Sequence, residues 1–182
     1  MGYEVALGKA WERLGNLAEE NHTVRFLSDN YEVKLAEKEV LSFSCNVPAK
    51  DYTGILILHY LAKKLRGLPP IKGEWISFKE LPGGAGYYPS FKKRVIDTVM
   101  RKYGQKPDAL LDLVERFKAK TTQVADISVV LDVFDEVPVL MTLWRGDDEF
   151  GPEANVLFDK SITDIFCTED IVVLSEIIVH SI

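Results

Sequence analysis

Ile127-Ser128-Val129-Val130-Leu131-Asp132-Val133-Phe134-Asp135-Glu136-Val137-Pro138-Val139-Leu140-Met141-Thr142-Leu143-Trp144-Arg145 is the stretch whose pattern decides the fold class. In its first half Ile127, Val129, Leu131 and Val133 alternate with Ser128, Val130 and Asp132. A period of two is how a strand sends successive side chains to opposite faces. Asp135-Glu136 is turn chemistry and residues 138–145 return as the partner strand, so the segment predicts an antiparallel hairpin. A third strand fits residues 155–158, after the loop 146–152.

Upstream, β-type runs at 24–28, 31–36 and 39–45 are separated by Ser28-Asp29-Asn30 and Glu37-Lys38, which predicts a second antiparallel meander. Before it, Leu7, Ala10, Trp11, Leu14, Leu17 and Ala18 recur at three and four, the stripe of an amphipathic helix over 3–20. After it, Asp51 caps a helix over 52–66 that closes on Lys63, Lys64, Arg66 and Gly67. Its centre, Ile55 to Leu58, is apolar all round, so it is expected between two layers. Leu68-Pro69-Pro70 breaks the chain before a short strand at 74–79, and a glycine-rich loop occupies 81–88. Pro89 suits the first position of a helix running to Tyr103 and Gly104, another helix covers 107–118, and Thr168 caps a terminal helix through 179. Strands that run antiparallel, with helices set apart from them, define an α+β fold: one antiparallel sheet, or two small ones, covered by about five helices. Residues 1–182 are expected as a single domain, with two subdomains meeting near residue 120 as the alternative.

Composition narrows the function. The formal net charge is −6, whereas phosphate recognition needs a concentrated basic surface, so nucleic acid is not an expected partner. No apolar run approaches the ~20 residues of a membrane span. Charged residues interrupt 1–20, unlike a secretory leader, which makes a cytoplasmic protein the expectation. Two cysteines, Cys45 and Cys167, are too few for a disulfide framework or an all-cysteine metal site and are expected as inert core thiols.

Two loops carry candidate chemistry. Glu80-Leu81-Pro82-Gly83-Gly84-Ala85-Gly86-Tyr87-Tyr88-Pro89 lies between an expected strand and an expected helix. Gly83, Gly84 and Gly86 let backbone approach a ligand, free N–H groups at a helix start face outward, Lys92 and Arg94 add positive charge, and Tyr87 and Tyr88 can stack on a planar group. These seven residues are the candidate ligand site, and the loop 83–88 is expected to line the main concavity with Tyr87 or Tyr88 facing it; a tight turn alone would also account for the glycines. The order does not match a dinucleotide or P-loop fingerprint. In the second loop, Asp147, Asp148 and Glu149 follow Trp144. They lack calcium-loop spacing and are expected as an exposed acidic turn rather than a metal site. His22, His59 and His180 show no metal-ligand spacing, and no nucleophile elbow is present.

Trp75-Ile76-Ser77-Phe78-Lys79-Glu80-Leu81-Pro82-Gly83-Gly84, Trp144-Arg145-Gly146-Asp147-Asp148-Glu149-Phe150, Leu157-Phe158-Asp159-Lys160-Ser161 and Thr168-Glu169-Asp170-Ile171-Val172-Val173-Leu174 together resemble the uncharacterised prokaryotic family called domain of unknown function 3786. The resemblance implies anaerobic bacteria and archaea, where some members carry an iron–sulfur module of the kind found in corrinoid methyl-transfer proteins. This chain departs from those, since its two cysteines stand far apart and cannot hold a four-cysteine cluster. The function expected is an accessory module in anaerobic metabolism that binds a small anionic ligand or a partner protein. The alternative is an enzyme with an unrecognised carboxylate or metal site.

Overall fold

A computed structural model describes residues 3–15 and 17–182. Met1, Gly2 and Asn16, part of the N-terminal stretch expected to be leaderless and helical, lie outside the described residues. Helix α1 (Tyr3–Gly15) precedes strands β1 (His22–Phe26), β2 (Asp29–Lys34) and β3 (Glu39–Ser42), and helix α2 (Asp51–Arg66) follows. Strand β4 (Trp75–Ser77) leads into α3 (Gly84–Phe91), a π turn (Lys92–Ile96) and α4 (Asp97–Tyr103), which run on as one rod. A 3₁₀ turn (Pro107–Leu111) opens α5 (Asp112–Phe117); then come β5 (Lys120–Thr121), β6 (Ile127–Phe134), β7 (Val137–Trp144), β8 (Glu153–Asp159) and α6 (Thr168–Ser181). The strands form two antiparallel sheets, ordered β1-β2-β3 and β4-β8-β7-β6-β5, so the fold is α+β.

The β6–β7 hairpin turns at Asp135-Glu136, with Phe134 opposite Val137 and Glu136 at φ 61°. Its register shifts between Asp132 and Phe134, a bulge that turns Val133 and Phe134 both inward. The bulge also accommodates Pro138 in a central strand, because a residue without an N–H fits where the ladder is already interrupted. Every residue of β7 from Val137 to Leu143 is buried. Successive strand residues face opposite ways, so the large sheet is covered on both faces. The rod from α3 to α4, the 3₁₀ turn and α5 contact β6 and β8.

The small sheet is tied to the tip of that hairpin. Leu27 N donates to Val133 O at 2.8 Å, Arg25 Nη1 donates to Asp132 O at 2.8 Å, and Arg25 Nε meets Asp135 Oδ1 at 2.9 Å. Lys64 also pairs with Asp135, and Tyr60 donates its hydroxyl to the Asp135 carbonyl at 3.0 Å. Phe134 stacks between Phe26 and Tyr60 with ring centroids 4.6 and 4.4 Å away. Burial works against the Asp135 carboxylate, but Arg25 and Lys64 hold its pKa below the ordinary value. One apolar cluster runs from Ala10 to Ile182 and draws on both sides of residue 120.

Several boundaries depart from the sequence reading. Helix α1 ends at Gly15, and Leu17 N and Ala18 N turn back to Leu14 O, so the helix does not reach 20. Strand β4 stops at Ser77 because Glu80 accepts from Ser77 N at 2.7 Å and Ser77 Oγ at 2.8 Å, a capping box that starts a 3₁₀ turn. The helix expected from Pro89 starts at Gly84, so most of the expected loop 81–88 is helical. Pro89 lies inside it, and having no N–H it leaves the Ala85 carbonyl without its helical donor just before the π turn. Strand β5, a two-residue edge, was not foreseen. Thr168 is not the α6 cap: Cys167 holds that position, and the Thr168 hydroxyl donates to Pro82 O at 2.8 Å.

Candidate functional site

Helix α6 builds the site. Ile171, Leu174, Ser175, Ile178 and Val179 sink one face into the core. Glu169, Val172, Val173, Glu176, Ile177 and His180 recur at three and four on another side, and they line open cavities. The helix is anchored at both ends. His59 Nδ1 lies 2.9 Å from Asp170 Oδ2, linking α2 to the first turn of α6. At the other end Lys102 Nζ donates to Val179 O at 2.9 Å and to Ile182 O, and Arg116 donates to Ser181 O at 2.8 Å. These cations offset the negative pole of the helix. Burial, then Arg116 and Arg101, hold the Lys102 ammonium below its usual pKa.

Between α6 and the start of α3 lies a cavity of about 380 Å³, within the range of small-ligand pockets. Pro82, Gly83, Tyr87 and Arg94 form one wall, Thr168, Glu169, Val172, Val173 and Glu176 the other, and Tyr3 borders both. A second hollow of about 320 Å³ shares Tyr3, Val173 and Glu176 with the first and continues past Tyr52, Ile177 and His180. The two make one trough along α6. Arg94 Nη1 bridges it to Glu176 Oε1 at 3.0 Å, and the Glu176 and Tyr87 side chains raise the guanidinium pKa. Glu169 and Glu176 are seven residues apart, roughly 10 Å along a helix axis. That separation is too long to share a proton or one metal ion. Among the described residues no group of three or more His, Cys, Asp or Glu could hold a metal.

The structure brings three of the seven candidate residues, Gly83, Tyr87 and Arg94, to this cavity. Gly84 is buried, and a Cβ there would overlap the Phe78 carbonyl oxygen, so its glycine serves close backbone packing. Gly83 sits at φ 73°, the left-handed region a helix entry uses here. Gly86 is exposed with nothing within 4 Å of an added Cβ, so nothing in the fold requires a glycine at that position. Tyr88 packs on Phe91 and under Lys79, whose Nζ is 4.2 Å from the ring centroid. Lys92 pairs with Asp97 at 2.7 Å.

Asp147 accepts from Glu149 N at 2.9 Å and Phe150 N at 2.7 Å, so the acidic loop is an exposed turn. Those two donors hold Asp147 below the ordinary carboxylate pKa. Both cysteines are exposed, not in the core as expected; thiols at strand and helix ends are not drawn inward by the apolar stripes around them. Desolvation nevertheless pushes the Cys167 thiol up to about 11. His22 opens β1, and His180 is exposed. The outward stripe of α6 escaped the sequence reading because its valines and isoleucines look the same as those facing the core.

No helix among the described residues is long and apolar enough to cross a membrane. No curated protein and no solved structure matches the chain. Residues 7–181 match the model of the family described as Domain of unknown function (DUF3786), and the chain belongs to that family.

Proposed function

We propose that the domain is a binding module, accessory to other proteins, whose working surface is the trough between α3 and α6. One observation carries this reading: an open cavity floored by Val172 and Val173 and walled by Tyr87, Glu169 and Glu176, on a helix anchored at both ends. An anchored helix presenting the half-buried Val173 beside the buried Val172, under an aromatic and charged rim, has the build of a recognition groove. Its carboxylates do not converge as an acid–base pair or a metal site requires. A small anion is the weaker occupant, because Arg94 is committed to Glu176 and Lys92 to Asp97, so neither cation is free to receive it. A partner protein is therefore favoured, in the cytoplasm of the anaerobic prokaryotes that the family resemblance implies.

A photo-crosslinking residue introduced at Tyr87, and separately at Phe150 on the acidic loop, tests the reading in cells that express the protein natively. A discrete protein adduct from position 87 that is absent from position 150 supports it. Equal adducts, or none at 87, contradict it.

A further inference from the structure

We infer that the trough takes a basic, amphipathic segment of a partner protein, with a lysine or arginine seated between Tyr87 and Glu169 and apolar side chains on Val173 and Ile177. This rests on the binding reading above and adds the chemistry of the occupant. Glu169 is exposed and has no cationic partner among the described residues, whereas Glu176 is already paired with Arg94. The trough thus sets two carboxylates against one guanidinium, and the surplus negative charge lies at Glu169. Tyr3 and Tyr87 border the same cavity, and aromatic faces add attraction for ammonium and guanidinium groups. The chain uses that chemistry at the far end itself, where Lys50 Nζ stands 5.8 Å from the centroid of Tyr52, a ring packed on Tyr3. With that end served, the Tyr87–Glu169 end is the one left for a cation from outside.

Shape selects a segment over a compact organic cation. From Glu169 to His180 the stripe spans roughly 16 Å of helix, two to three turns of a docked chain. Ile177, two turns and roughly 12 Å along the axis from Glu169, lies beyond the reach of a small cation held there. Charge argues against a second copy of this chain, since two molecules of net charge −6 repel before an acidic groove meets its counterpart.

The experiment selects a random library of 16-residue peptides on the full-length protein, with counter-selection on Val173→Asp. Thermal melts confirm that this variant is folded, and Glu169→Lys, an exposed change, serves as a second filter. Enriched peptides are expected to carry lysine or arginine beside apolar residues and to bind the Glu169→Lys protein at least tenfold more weakly. Acidic or purely apolar winners, or basic winners indifferent to Glu169→Lys, overturn the charge assignment while leaving the groove as the binding surface. Failure of any peptide to enrich over the Val173→Asp counter-selection overturns both.

Discussion

Two alanine substitutions, two residues apart, should move stability in opposite directions. At Gly84 an added Cβ overlaps the Phe78 carbonyl oxygen and lies 3.1 Å from its carbon and 3.3 Å from Leu81 Cβ. The obstacle is backbone at the start of a capped 3₁₀ turn, not the end of a flexible side chain, so the helix entry itself must shift. Overpacking typically costs 1–3 kcal/mol, and a backbone clash belongs near the upper end, so Gly84→Ala should lose about 3 kcal/mol. In a chain of this size each kcal/mol moves Tm by about 2–4 °C, which predicts a fall of about 6–12 °C. At Gly86 the Cβ meets nothing within 4 Å and the residue is helical, so Gly86→Ala should gain about 0.5–1 kcal/mol, or about 1–4 °C. Gly83→Ala falls between, losing about 1–2 kcal/mol for a side chain held at φ 73°. Thermal melts by circular dichroism read all three. A neutral Gly84→Ala, or a Gly86→Ala that lowers Tm as much, would refute the steric reasoning and return Gly84 and Gly86 to the list of residues kept for a ligand.

Asp159 is almost fully buried and accepts from Lys72 N at 3.0 Å, Gly73 N at 2.6 Å and Ser161 N at 2.9 Å; Asp159→Ala strands these donors and should cost about 3 kcal/mol in urea unfolding. Burial opposes its ionisation, yet the bonds from Ser161, Lys72 and Gly73 win and lower its pKa. Its contribution is therefore present above the unfolded aspartate value of about 3.9 and lost as pH falls through the folded value, so the gap between wild type and Asp159→Asn should narrow on acidification from pH 6 to 3. Thr142 Oγ1 is buried without a hydrogen-bond partner, and Thr142→Val should raise stability by about 1 kcal/mol; a loss of that size would show that the hydroxyl is bonded in solution. The Cys167 thiol, pushed up to about 11, should be only about 0.1 % thiolate at pH 8 and react with a disulfide reagent far more slowly than a free cysteine; rapid labelling would contradict the raised pKa.

The strands were legible because their signals are local. Alternation through Ile127–Phe134 and the two-residue turn at Asp135-Glu136 need nothing from the rest of the chain. The start of α3 was not legible: a proline usually marks a first helical turn, and only the approach of Gly84 to Phe78 shows that the helix begins earlier and carries Pro89 inside. The candidate site was half readable for the same reason. Gly83, Tyr87 and Arg94 lie along one continuous helical segment, at steps of four and seven that keep them on one face, so their alignment follows from sequence, whereas the opposite wall comes from α6, some eighty residues away. What joins them is the bond from Thr168 to the Pro82 carbonyl and the Arg94–Glu176 pair, contacts set by the packing of α6 against the π turn.

Amide hydrogen exchange on the protein alone and with the partner captured through position 87 tests the trough most directly. Protection should rise at least tenfold in residues 82–94 and 168–180 and stay unchanged in β1, β2 and β3. Protection confined to the three-stranded sheet, or none along α6, would contradict the assignment of the trough as the binding surface.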